Sequence, residues 1–233
     1  MRIHVIQHVP FEGPAGIAEW ADARGHALTV TLAPTAAFAS PADYDLIVVM
    51  GGPMNIYEVD LYPWLSVEKD VIAEAIKVGK GVLGVCLGAQ LVADVLGGSV
   101  GRNEVPEVGW YPVELTGAGT VSRVFGVMPE RFVAGHWHWD TFEIPQGAVH
   151  TASSKACVNQ AFEYDDGRVI GVQFHLEWTR EVLAELIERA GEELTEDVWV
   201  QTEGELIAPD APFAETGTVL EMFLDALERR TMS

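Results

Sequence analysis

The runs Asp45-Leu46-Ile47-Val48-Val49-Met50 and Val82-Leu83-Gly84-Val85 are apolar at nearly every position, with no alternation between two faces. A strand apolar on both faces must be covered on both, so a sheet of such strands needs helices above and below it. The flanking sequence supplies them. Ile17, Trp20, Ala21 and Arg24 recur at helical spacing between Pro14 and Gly25. Pro63 opens a second helix expected to turn Trp64, Val67, Val71, Ile72, Ala75 and Ile76 inward, closed by Gly79 to Gly81, and a third carries Gln90, Leu91, Val92, Val95 and Leu96. With further strands at Ile3 to Gln7 and Ala27 to Leu32, the alternation predicts an α/β fold with a mostly parallel central sheet and helices on both faces.

Beyond Gly98 the texture changes. Shorter alternating runs at Gly109 to Leu115, Phe132 to His138, Ala148 to Ser153, Gln160 to Tyr164 and Val169 to Phe174 read as antiparallel additions, the last two joined by an Asp165-Asp166-Gly167 turn. A helix over about Thr179 to Ala190 follows, then an acidic, irregular stretch to Pro212. Val219, Met222, Phe223, Ala226 and Leu227 mark a C-terminal amphipathic helix, expected to pack on the main body. The organisation expected is a domain over 1–190 and an extension over 191–233.

Composition narrows the partners. Of 233 residues, 14 are Lys or Arg and 35 are Asp or Glu, a net charge of −21 that repels phosphate backbones and anionic lipid. Nucleic-acid and membrane-surface roles are therefore not expected. The weakly charged stretch from Gly81 to Gly101 is broken by glycines, Gln90 and Asp94, unlike a membrane span. Two cysteines, Cys86 and Cys157, are too few for a disulfide framework, and the Met-Arg-Ile-His opening does not read as a signal segment, so a reducing cytoplasm is the expected setting.

The chemistry concentrates at Gly84-Val85-Cys86-Leu87-Gly88, where a buried strand gives way to a helix. G-x-C-x-G is the thiol counterpart of the G-x-S-x-G nucleophile elbow: the turn is sharp, the glycines avoid clashes, and the helix N-terminus favours a thiolate. A buried cysteine beside packing glycines would look the same, so the pattern needs partners. Phe174-His175-Leu176-Glu177 supplies them, because residues two apart on a strand share a face and His175 and Glu177 can reach one site. Glu177 would orient His175, and His175 would serve Cys86 as base. The Leu87 amide, and that of Gly52 in the unobstructed Gly51-Gly52-Pro53 turn, can form an oxyanion hole.

In order, Gly51-Gly52-Pro53, Gly84-Val85-Cys86-Leu87-Gly88-Ala89-Gln90 and Gly171-Val172-Gln173-Phe174-His175-Leu176-Glu177 resemble the three signature blocks of class I glutamine amidotransferases. Within that family the chain is most similar to free-standing proteins like the amidotransferase domain of GMP synthase, a likeness that includes Tyr62-Pro63-Trp64-Leu65 and covers roughly residues 1–190. The resemblance implies a flavodoxin-like core and a Cys86-His175-Glu177 triad that cleaves the γ-amide of glutamine through a γ-glutamyl thioester. It also implies oxyanion contacts from Gly52 and Leu87, and substrate contacts from Gly51, Gly52 and Gln90. Backbone contacts to the α-groups of glutamine would come from Trp137, His138 and Trp139, where the family has small residues on either side of the histidine. That departure favours either a narrowed pocket or a γ-glutamyl donor other than free glutamine.

Other features carry less. His136 and His138 have no third ligand at a recognised metal spacing, so neither a metal nor a cofactor is expected. Gln7 and His8 end the first strand at the sheet edge where open α/β folds place their sites, and fit equally a lining role or a capped strand end. Cys157 reads as a packing residue. No Walker A loop is present, and Gly97-Gly98-Ser99-Val100-Gly101 lacks dinucleotide-loop spacing, so ammonia would go to a separate synthetase. A hydrolase or transferase acting on γ-glutamyl conjugates shares every catalytic residue, and a non-catalytic regulatory subunit remains a third reading.

Overall fold

The computed structural model describes residues 1–35 and 37–233. Nine strands form one sheet in the order β2-β1-β3-β4-β9-β8-β7-β5-β6. Its first half comprises β1 (Arg2–Gln7), β2 (Ala27–Leu32), β3 (Leu46–Val49), β4 (Gly81–Val85) and β9 (Val169–Val172), all paired parallel. From β9 onward the pairs are antiparallel, through β8 (Ala161–Tyr164), β7 (Val149–Ser153), β5 (Val100–Leu115) and β6 (Arg131–Phe142). Helices α1 (Ala15–Ala23), α2 (Trp64–Lys77), α3 (Leu87–Val95) and α4 (Arg180–Ala190) pack around this sheet. The order 2-1-3-4 reverses direction between β1 and β3, so the loops after these strands diverge at their carboxyl ends and open a crevice there.

The uninterrupted apolar runs are buried as their composition requires. Leu46 to Val49 and Gly81 to Val85 are buried at every position, the odd and even residues of β3 serving two core clusters on opposite faces. The hairpin between β8 and β9 turns through Asp165, Asp166 and Gly167, all at positive φ. Aspartates tolerate that region by bonding their own backbone, which explains the composition of the turn.

Helix α2 keeps the expected inward face at every position but one. Ile72 and Ala75 are buried and Trp64, Val71 and Ile76 pack partly buried against the same cluster, while Val67 is 53% exposed. Glu68, which the pattern did not place there, is buried instead and meets His8. Strand β5 is also longer than expected, because polar residues from Arg102 to Glu104 extend a twisted ribbon with β6 that solvent reaches, bulged between Arg102 and Glu107.

The acidic stretch after α4 is more ordered than its composition predicts. Val200 bridges Val108, and a short helix α5 (Glu203–Leu206) begins at a Thr202–Glu205 capping box and buries Leu206 beside Trp110. The last helix, α6 (Phe213–Thr231), places Val219, Leu220, Phe223, Leu224 and Leu227 in the same cluster as Ile3 and Val5 of β1. Met222, expected on that face, is 37% exposed. No described helix is long and apolar enough to cross a membrane.

Candidate active site

Cys86 stands between β4 and α3 with φ 52° and ψ −109°, a strained backbone for a residue with a Cβ. The neighbours explain how the turn closes. A Cβ on Gly84 would run into Gly88, and one on Gly88 would run into the Val49 carbonyl, so both positions require glycine. The result presents a thiol 8% exposed at the wall of a cavity of about 570 Å³.

His175 follows β9, the immediate neighbour of β4 in the sheet, and Gly135 on β6 exchanges backbone hydrogen bonds of 2.7 and 2.9 Å with it. Its Nδ1 lies 2.6 Å from Glu177 Oε1, and Glu177 Oε2 accepts from the Leu176 N–H at 3.1 Å. Burial would lower the His175 pKa, but the Glu177 charge and hydrogen bonds to Cys86 and Glu177 raise it to about 10. Trp178 stacks on the imidazole at 4.4 Å between centroids, tucked against Gly135 where a side chain would collide with the indole. Sequence reasoning missed Trp178; its position three residues from His175 carries no motif.

Among the described residues, neither the Gly52 nor the Leu87 N–H donates to a protein group. A Cβ on Gly52 would lie 3.2 Å from Leu87 Cδ2, so the two segments are in contact, and both line the cavity with Cys86. Gly51 stands behind them. The point where its Cβ would be is 3.0 Å from Glu12 Oε2, 3.4 Å from His175 Cε1 and 3.6 Å from Cys86 Cβ. Glu12, which the sequence did not single out, therefore sits beside Cys86 and His175, and its carboxylate has no hydrogen-bond or ion-pair partner among the described residues. Burial pushes its pKa up to about 6, against the opposing influence of His175 and His8.

The expected substrate-side residues also reach the cavity, with their polar atoms largely committed. Gln90 Nε2 donates to Gln173 Oε1 at 3.2 Å and to Asp140 O at 3.3 Å. Gln173 Nε2 in turn donates to Cys86 Sγ at 3.5 Å. Trp137 Nε1 donates to Glu193 Oε2 at 3.0 Å, while its carbonyl faces the Cys86 thiol at 3.9 Å. His138 is pinned between Asp140 O and Glu107, leaving its backbone at the wall, and Trp139 lines the same side. The tryptophans line the cavity without filling it. Asp140 is buried, holds the Tyr57 hydroxyl at 3.0 Å and meets Arg102 at 3.5 Å.

His136 and His138 do acquire a third group, contrary to the spacing argument. Glu107 Oε2 lies 3.4 Å from His136 Nδ1 and 3.1 Å from His138 Nε2, brought there by the β5–β6 ribbon. Gln160 and Ser154 also donate to this carboxylate, at 2.6 and 2.8 Å, so its acceptor capacity is used by protein donors. Burial drops His136 to about 4. A hydrogen-bonded buried cluster accounts for these distances. Cys157 is 1% exposed, and burial pushes its pKa to about 11.

The family model for Glutamine amidotransferase class-I matches residues 17–190, which hold the elbow and the His175–Glu177 pair. The chain belongs to the class I glutamine amidotransferases. Another member is the glutamine amidotransferase-like protein YfeJ of Salmonella typhimurium, 31% identical over 201 residues, 84% of each chain. A glutamine amidotransferase from Thermotoga maritima has the same fold throughout, with a TM-score of 0.87 at 30% identity over 100% of this chain and 99% of that one. The glutamine-hydrolyzing GMP synthase of Aeropyrum pernix is 35% identical over 146 residues, 59% of this chain but 26% of the synthase. This amidotransferase chain therefore spans about a quarter of that synthase, and the mixed sheet with a flavodoxin-like parallel half is the family fold.

Proposed function

We propose that the chain hydrolyses the γ-carboxamide of glutamine to glutamate and ammonia through a covalent thioester on Cys86. One observation carries the reading: a thiol on a strained elbow opens into a cavity beside a 2.6 Å His175–Glu177 pair and two backbone N–H groups with no protein acceptor. His175, held as a strong base by Glu177, takes the thiol proton, and Sγ adds to the amide carbon. The carbonyl oxygen gains the charge and is held by Gly52 and Leu87 N–H. His175 returns the proton to nitrogen, the C–N bond breaks and ammonia leaves. Water then adds to the thioester with His175 as base, and the C–S bond breaks to release glutamate and restore the thiol.

Gln90 and the Trp137–Asp140 backbone sit where the glutamyl end of the substrate would lie, with Arg102 and Asp140 complementary to its α-carboxylate and α-ammonium. Released ammonia would serve a separate synthetase in the cytoplasm, a role supported by the likeness to one part of a glutamine-hydrolyzing GMP synthase. Intact mass after incubation with a glutamine-shaped electrophile tests the reading. A single adduct, lost in Cys86→Ala and suppressed by excess glutamine, is the expected result; no adduct on a thiol still open to a small alkylating agent would overturn it.

A second reading, cleavage of γ-glutamyl conjugates, is favoured by the 570 Å³ volume and by the unpaired Glu12 carboxylate next to His175, where an amine would depart. A higher kcat/KM for a γ-glutamyl alkylamide than for glutamine would select it.

A further inference from the structure

His8 ends β1 and is wholly buried, yet the triad does not use it. Its Nδ1 lies 2.8 Å from the carbonyl oxygen of Gly51, and its Nε2 lies 2.9 Å from Glu68 Oε1 on α2. Both side chains are 0% exposed, and Trp64 stacks on the imidazole at 5.5 Å. A carbonyl oxygen only accepts, so Nδ1 carries a proton and donates to it. Burial acts to lower the His8 pKa, but the Glu68 charge and the bonds to Glu68 and Gly51 more than offset it and raise the value.

The acceptor is not an arbitrary backbone atom. The Gly51 carbonyl and the Gly52 N–H belong to one peptide unit, and none of the described peptide bonds is cis. In a planar trans peptide the C=O and N–H point in opposite directions, so anchoring the oxygen fixes the direction of the N–H. Glycines flank this unit on both sides, so little in the local backbone would otherwise stop it rotating. Hydrogen bonding at the oxygen also polarises the N–H at the other end. A buried ion-pairing couple in an otherwise apolar cluster is costly, and Glu68 Oε2 has no hydrogen-bond partner among the described residues. That cost has no packing rationale, because an apolar pair of similar volume would suit the cluster better.

We propose that His8, backed by Glu68, is a positioning residue that holds the Gly51–Gly52 peptide with its N–H turned toward the Cys86 thiol, so that the oxyanion hole stands ready before substrate binds. The proposal rests on the assignment of Gly52 as an oxyanion donor. It makes the hole an attribute of this chain's own core, maintained without a partner protein.

The test uses two polar replacements. His8→Asn places an amide nitrogen where Nδ1 was and keeps the donor to Gly51; His8→Gln places it where Nε2 was and loses that donor. The probes are glutamine turnover, binding of glutamate γ-semialdehyde and alkylation by iodoacetamide. The thiol adds to the aldehyde carbon and passes its proton to His175, leaving an alkoxide in the hole, whereas alkylation at a saturated carbon creates no oxyanion. His8→Gln is expected to lower kcat about 10- to 100-fold, with KM for glutamine nearly unchanged. Aldehyde affinity should fall in parallel while the alkylation rate holds, and His8→Asn should recover most of both losses. Equal impairment of the two variants, with alkylation also lost, would overturn the proposal in favour of a purely structural pair. Wild-type kcat and aldehyde affinity in His8→Gln would overturn it as well. If the wild-type protein itself neither turns over glutamine nor binds the aldehyde, the functional reading falls, and this proposal with it.

Discussion

The side chain that Gly88 lacks would stand inside the carbonyl of Val49, which presses the first turn of α3 against the end of β3. The elbow that exposes Cys86 depends on this contact. Gly88→Ala should destabilise the fold by about 3 kcal/mol, because backbone cannot yield as a side chain would. Gly101→Ala, where nothing lies within 4 Å, should be close to neutral. Denaturant unfolding of the two variants checks the contrast.

Glu177 is the main cause of the raised His175 pKa. Because that value, about 10, lies above the ordinary 6.5, the stabilisation the pair supplies is fully present below pH 6.5 and is lost as the pH rises through 10. Glu177→Gln should therefore bring the His175 titration down toward its ordinary range, as followed by NMR of the ring protons. It should also cut glutamine turnover by roughly a hundredfold or more.

Glu12 has the same sign in a lower pH window. Its pKa is raised from 4.5 to about 6, so the folded state holds the proton more tightly than the unfolded chain and loses stability as pH climbs from 4.5 through 6. Glu12→Gln should be more stable than wild type by about 1–2 kcal/mol at pH 8 and equal to it at pH 4. Unfolding curves at the two pH values measure this, and an unchanged difference would show that the carboxylate is not desolvated.

Thiol reactivity separates the two cysteines. Cys157 is buried with its pKa near 11, while Cys86 faces the cavity. Iodoacetamide near neutral pH should label Cys86 about tenfold faster or more, as read by peptide mass spectrometry.

What could be read from the sequence is what short-range spacing determines. Gly84, Gly88 and Cys86 lie within one turn, and His175 and Glu177 are two apart on an extended segment, so pattern alone placed them on one site. The apolar runs of β3 and β4 likewise announced a sheet covered on both sides. Glu68 was hidden because a carboxylate is not expected on an inward helical face, and only His8, sixty residues earlier, gives it a partner there. Glu107 and Glu12 were invisible for the same reason, since each meets its neighbours through the tertiary fold. The order within residues 191–212 comes from contacts distant in sequence, Val200 with Val108, Leu206 with Trp110 and the Ile207 and Ala208 carbonyls with Arg180.

The adjacency of β4 and β9 sets when Cys86 and His175 can meet. The strand that delivers His175 lies between β4 and β8 in the finished sheet, yet it is the last of the nine to be made. Until it inserts, a growing chain carries the Cys86 thiol on an open strand edge, with no imidazole beside it and no Glu177 to orient one. Closing that gap joins the two halves of the sheet through contacts distant in sequence, a slow kind of step. Arrival of the final strand therefore completes the sheet and brings His175 and Glu177 to the thiol in one event, before helices α4 to α6 have been made.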